Sequence, residues 1–206
     1  MRIPTCATLS TLLFLLPSPG VAGTLEQAIF SGQVQMQLDQ GQIVSCGVRL
    51  TGATTTASQQ LLGFDASVNV AKPAFGMVKG LAYQGTLEQY AKGDLSRLQL
   101  QTFWFRKPDG LTTVPQNGQY LESPETARAI LYPTSVDSAF GILDAVLKRQ
   151  DVQIGFRLVD DPDGRIFFGV VELAHPEMMQ LAQCLKDWAG SMLEQVETQK
   201  PKIKKK

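Results

Sequence analysis

Apolar and polar residues alternate at a period of two in several blocks between Val34 and Val170, and this pattern constrains the chain more than any other feature. A strand sends successive side chains to opposite faces, so the pattern specifies sheets with one face buried. Val34, Met36 and Leu38 alternate with Gln33, Gln35 and Gln37, and Val44, Cys46, Val48 and Leu50 share one face opposite Ser45, Gly47 and Arg49. Asp39-Gln40-Gly41 between the two blocks carries turn chemistry, which predicts a hairpin with Cys46 pointing inward. Thr51 to Gln60 is polar and low in complexity, a loop or a weak edge strand. Phe64, Ala66, Val68 and Val70 resume the alternation, Lys72-Pro73 breaks it, and Met77 to Tyr83 offers a further strand.

Leu95 to Arg106 reads as one longer strand whose Phe103-Trp104-Phe105 end is apolar on both faces. Such a strand is either covered twice or presents an aromatic edge. Pro108-Asp109-Gly110 then turns the chain, Pro presetting φ and Gly accepting the positive φ that follows. The sharpest unit comes last. Val152, Ile154, Phe156 and Leu158 alternate, Asp160 to Gly164 turns, and Ile166, Phe168 and Val170 alternate again, with Phe167, Val171 and Leu173 on the other face. That two-sided second strand should lie nearer the centre of its sheet.

Helical spacing is confined to fewer segments. Ser135 can cap a helix over Val136 to Arg149, with Asp137 at the positive end of its dipole, Lys148 and Arg149 at the negative end, and a stripe of Phe140, Leu143 and Leu147. Pro176 opens a second helix reaching about Val196, its inward stripe running through Met178, Leu181, Cys184 or Leu185, Trp188 and Met192. Shorter turns of helix are expected over Leu25 to Phe30 and Thr86 to Lys92, while Ala129 to Tyr132 suits a strand or a helix equally. The expected fold class is α+β, mainly antiparallel β in a sandwich-like or strongly curved sheet. Two principal helices accompany it, the C-terminal one packed on the sheet.

The N-terminal residues read as a cleavable signal peptide spanning 1–22. Arg2 gives a lone positive charge, Ala7 to Leu16 an apolar segment, and Gly20-Val21-Ala22 a small-residue cleavage site. About ten apolar residues are too few to cross a hydrocarbon core that needs roughly 20. The expected organisation is therefore one β-rich domain over 23–196 followed by a disordered Lys-rich tail over 197–206, in a periplasmic or extracellular protein. Cleavage removes Cys6 and leaves Cys46 and Cys184, which an oxidising compartment would join as a disulfide stapling the C-terminal helix to the sheet.

Charge narrows the partners. Lysines and arginines equal aspartates and glutamates at 19 each, without the basic surplus of a dedicated nucleic-acid binder. Five lysines (Lys200, Lys202, Lys204, Lys205 and Lys206) crowd the C-terminus, where they either touch an anionic surface or simply solvate the chain end.

Catalytic chemistry finds little support in the residues. His175 is the only histidine, and no Gly-x-Ser-x-Gly elbow accompanies it. A Cys46–His175 nucleophile pair would require Cys46 to be free and exposed. One histidine does not supply an ordinary zinc site. Asp160 to Gly164, with Glu172 beyond, has part of the spacing of a calcium loop, but Arg165 and Ile166 stand where such a loop needs an oxygen ligand and Gly. Gly80 to Thr86 has phosphate-loop glycine spacing without the lysine. Asp65, Glu88, Asp109 and Glu122 are carboxylates that nothing in the sequence pairs.

The expectation is a non-enzymatic binding or accessory protein of the cell envelope, with no cofactor and no metal. Its partner would be a protein or another envelope component, met without nucleic acid and without stable membrane insertion. Candidate contact residues are Phe103, Trp104, Phe105 and Asp109. Two alternatives stand beside it: an envelope-directed hydrolase with a carboxylate or Ser/His site, and a structural subunit whose open strand edge a neighbour completes.

Overall fold

A computed structural model describes residues 24–55, 60–161 and 163–199. The expected signal segment and most of the Lys-rich tail lie outside them. The described residues are mostly β, with one large mixed sheet and three helices among them, and the sheet is not a closed barrel. In chain order the elements are β1 (Thr24–Gln27), β2 (Phe30–Asp39), β3 (Gln42–Thr55), β4 (Leu61–Ala71), β5 (Phe75–Gly85), α1 (Leu87–Lys92), β6 (Ser96–Leu98) and β7 (Leu100–Arg106). There follow β8 (Leu121–Glu122), β9 (Ile130–Thr134), α2 (Val136–Leu147), β10 (Asp151–Leu158), β11 (Arg165–Glu172) and α3 (His175–Gln199).

The strand order is β7-β10-β11-β2-β3-β4-β5-β9-β8, with β1 alongside β11 and β6 alongside β5. Most neighbours are antiparallel; β2–β3 and β10–β11 are the hairpins that the alternation predicts, and β4 and β5 form a third. Two pairings depart from the antiparallel expectation: β1 and β2 both run parallel to β11. The same pairing corrects the helix expected over Leu25 to Phe30. Such a short helix would be marginal alone, whereas β1 pairs its backbone with Arg165–Phe168, and Ala28 and Phe30 are buried while Ile29 is 72% exposed.

The strand expected from Leu95 to Arg106 is also divided. β6 pairs with β5, β7 pairs with β10, and between them the Gln99 carbonyl accepts from Val159 N at 3.0 Å. One stretch of chain thus reaches from one flank of the strand order to the other. Inner-face residues Val48, Val68, Val78 and Tyr132 are fully buried in a cross-strand row running from β3 to β9.

α2 and α3 cover that inner face. In α2 the buried residues are Ser138, Ala139, Ile142, Leu143, Ala145 and Val146, whereas Phe140, expected in the inward stripe, is 39% exposed. Ser135 caps the helix, accepting from Ser138 N at 3.1 Å. Gly76 lets α2 approach β5, since a Cβ there would come within 2.5 Å of the Ala139 methyl. α3 buries Leu181, Cys184, Leu185 and Trp188 and runs to Gln199, beyond the end expected at Val196. A disulfide joins Cys46 on β3 to Cys184 on α3, with Cα atoms 5.9 Å apart.

Candidate functional site

Phe103, Trp104 and Phe105 sit on β7, and the pleat separates them. Phe103 and Phe105 point inward and are fully buried, so neither is a contact residue. They belong to a train of rings running Phe105, Phe103, Phe156, Phe167, Phe64 and Phe30, with successive centroids 5.3–6.4 Å apart. Pairs of this kind add about 0.5–1.5 kcal/mol each beyond the area they bury. Trp104 points the other way and is half-buried.

The register of β7 with β10 builds the outer surface around it. Trp104 lies opposite Gly155, Thr102 opposite Arg157 and Arg106 opposite Gln153. A Cβ at Gly155 would overlap the six-membered ring of Trp104, so the indole packs directly on the β10 backbone. On the other flank of β7, the segment after the Pro108-Asp109-Gly110 turn comes back alongside: Arg106 bridges Thr112, and Thr113 N donates to the Phe105 carbonyl at 2.9 Å. Buried Thr113 is locked further, its hydroxyl accepting from Phe105 N and meeting the Tyr132 hydroxyl, both at 2.9 Å. Tyr120 closes the far wall, its ring edge-on to Tyr132 with centroids 5.0 Å apart.

These residues enclose a groove of about 310 Å³ lined by Thr102, Trp104, Arg106, Tyr120, Arg157 and the Thr112–Val114 segment. No carboxylate lines it. Burial pushes the Tyr120 phenol above its ordinary value, and the Arg157 charge pulls it the other way. Tyr120 and Trp104 therefore present neutral ring surfaces beside cations. Arg157 makes no ion pair with the described residues, and its Nε is shielded from solvent without a hydrogen-bond partner. Thr102 Oγ1, directly opposite, is shielded and unpartnered in the same way. A buried polar group left without a partner costs about 1–3 kcal/mol, so these two positions carry a cost to stability.

Two other depressions differ in how their charges are arranged. On the outer face of β3–β5 a cleft of about 360 Å³ holds Arg49, Asp65, Ser67, Lys79 and Arg97. Its cations are already engaged: Arg49 grips both oxygens of Asp65, Lys79 meets Glu125 at 3.5 Å, and Arg97 reaches the Ala127 carbonyl. A shallow depression of about 500 Å³ between the β7 turn and the end of α2 carries three cations (Lys107, Lys148 and Arg149) against Asp109, Asp144 and Asp151. Asp109 belongs there and not to the Trp104 groove. Its carboxyl is held below the usual range, first by the bond from Leu111 N at 3.0 Å and then by Lys107, 3.0 Å away.

The residues considered for catalysis are scattered. Cys46 is bound in the disulfide, which removes the Cys46–His175 nucleophile pair. His175 is exposed at the start of α3 and lines none of the three depressions. Asp65 pairs with Arg49, Glu88 with Lys92, Asp109 with Lys107, and Glu122 accepts from Arg128 N. Gly80–Gly85 lies within β5, and Asp161 is paired with Arg165 at 3.0 Å beside the hairpin turn. Among the described residues no group of three or more His, Cys, Asp or Glu side chains converges as a metal site. No protein-family model, curated protein or solved structure matches the chain.

Proposed function

We propose that the chain is an exported, non-enzymatic binding module that takes an anionic saccharide of the cell envelope in the Trp104 groove. The observation that carries this reading is the half-buried Arg157 side chain, without a carboxylate partner and set in the groove beside Trp104 and Tyr120. Arginine is suited to planar, bidentate recognition of carboxylate and phosphate oxygens. An indole face and a tyrosine edge suit the apolar side of a ring. The orphaned Thr102 hydroxyl, with Thr112 at the rim, suits a ligand that carries hydroxyls as well as charge. Export is the expectation drawn from residues 1–22, and a disulfide suits an oxidising compartment.

The two tryptophans allow a direct test. Trp188 is buried, and its ring nitrogen has no hydrogen-bond partner, so Trp188→Phe leaves Trp104 as the single reporter. Titration of this variant with oligogalacturonate should quench or shift Trp104 emission saturably, and the methyl-esterified oligomer, which lacks the charge, should bind at least about tenfold more weakly. Arg157→Ala should abolish the response. Equal binding of charged and esterified oligomers, or no binding of either, overturns the reading.

A further inference from the structure

β2 runs for ten residues, and one of its edges is paired to β3 along nearly its whole length. The other edge meets β11 only at Phe30 and Ser31. From Gly32 to Asp39 that second edge pairs with no strand among the described residues. An open edge displays a row of backbone donors and acceptors, and proteins ordinarily blunt such rows with lysine, proline or a bulge. Gln33 to Leu38 contains neither a charge nor a proline, and the only irregularity is the register shift between Gln37 and Leu38 at its far end.

We infer that this edge is an interface for the same edge of a second copy of the chain, paired antiparallel about a two-fold axis at Met36. The argument is self-complementarity. Directly opposed residues in an antiparallel pair share a face. A two-fold at Met36 therefore sets Gln35 against Gln37 of the copy, Gln33 against Asp39, Val34 against Leu38, and Met36 against itself. Each glutamine amide carries both donor and acceptor, so the polar row satisfies itself. The apolar row covers Met36 and Leu38, which are 43% and 55% exposed although they stand on the inner face.

Charge agrees with this occupant. Asp39, the one ionic residue of β2, falls opposite the Gln33 amide of the copy and never opposite itself. An isologous contact of this kind uses up both edges and closes at two copies. It lies on β2 and leaves the Trp104 groove on β7 open, so its success or failure is independent of the proposed ligand.

Sedimentation equilibrium of the disulfide-bonded protein tests it. The wild type is expected to dimerise below about 100 µM. Met36→Lys and Met36→Glu, substitutions at an exposed side chain, should each be monomeric with an unchanged far-ultraviolet dichroism spectrum. An equimolar mixture of the two variants should recover the dimer, because opposite charges replace like ones across the axis. Hydrogen exchange gives a second readout, with amides of Gln33 to Leu38 gaining protection as wild-type concentration rises. A wild type that stays monomeric at about 100 µM, or a dimer indifferent to both substitutions, overturns the inference.

Discussion

Trp104 and Gly155 face one another across the β7–β10 pairing, and the indole occupies the space that a side chain at position 155 would need. This contact sets the height of the groove floor, because the ring lies against backbone instead of standing away from the sheet. Gly155→Ala should lift or rotate the indole. Overpacking of this sort costs typically about 1–3 kcal/mol, to be read as a lower urea midpoint. In the Trp188→Phe background the same substitution should shift Trp104 emission to the red and increase its quenching by acrylamide. Unchanged emission would show that the ring does not need the glycine beneath it.

The Cys46–Cys184 link closes a loop with a sequence separation of 138 and ties α3 to β3, far in the chain from its backbone connection to β11. Both cysteines are buried, at 0% and 2% exposure. Removal of a native disulfide typically costs about 2–5 kcal/mol. The double substitution Cys46→Ala, Cys184→Ala should lower stability by an amount in that range. Because β3 keeps its pairing with β2 and β4, amide protection should fall first in α3. Denaturant titration and hydrogen exchange together check this, and uniform loss of protection across β3 and α3 would contradict it.

Tyr83 lies on the outer face of β5, its ring against Gly63 on β4. Burial pushes its phenol up to about 12, with a smaller contribution from Tyr90. A phenol in the unfolded chain ionises near its ordinary value of about 10. The folded value is the higher one, so the unfolded state loses its proton first as pH rises. The contribution of Tyr83 to stability is therefore complete below pH ~10 and falls away between about 10 and 12. Tyr83→Phe should flatten that part of the stability profile. Phenolate absorbance in the folded protein should show a late-titrating tyrosine that this variant lacks.

The parts of the fold that were legible in the sequence are those set by local periodicity. Cys46 reads as inward because Val44, Val48 and Leu50 share its parity, and Cys184 falls on the helical stripe of Leu181 and Trp188. What was not legible depends on register between distant segments. Leu25 to Phe30 looks helical in isolation, and only a parallel partner about 140 residues later in the chain makes it a strand. Phe103-Trp104-Phe105 shows that both faces are apolar without showing that one is core and the other a groove.

Arg157, Tyr120 and Thr102 escaped the sequence reading altogether. Nothing in the sequence near any one of them announces the other two; the β7–β10 register and the returning Thr112–Val114 segment bring them together. A tyrosine two residues after Gly118, in a stretch rich in turn residues, and an arginine at the end of an alternating strand are the only local traces.

Arg157 allows the proposed binding role to be separated from a role in the fold. Its guanidinium Nε is shielded and unpartnered, and the Thr102 hydroxyl opposite is no better placed. On the proposed reading the unpartnered Nε costs stability, while the stem lies near Gly164 on the hairpin turn. Its aliphatic stem can still pack, as arginine stems do, so the informative replacement keeps the stem and removes the charge. Arg157→Met should therefore raise the free energy of unfolding by about 1 kcal/mol while eliminating the Trp104 response to oligogalacturonate. Thr102→Val, which removes the other orphan, should be neutral or mildly stabilising and weaken binding only in part. Urea denaturation and fluorescence titration on the same samples read both quantities. If Arg157→Met instead lowers stability, the guanidinium belongs to the fold and the groove loses its principal anchor.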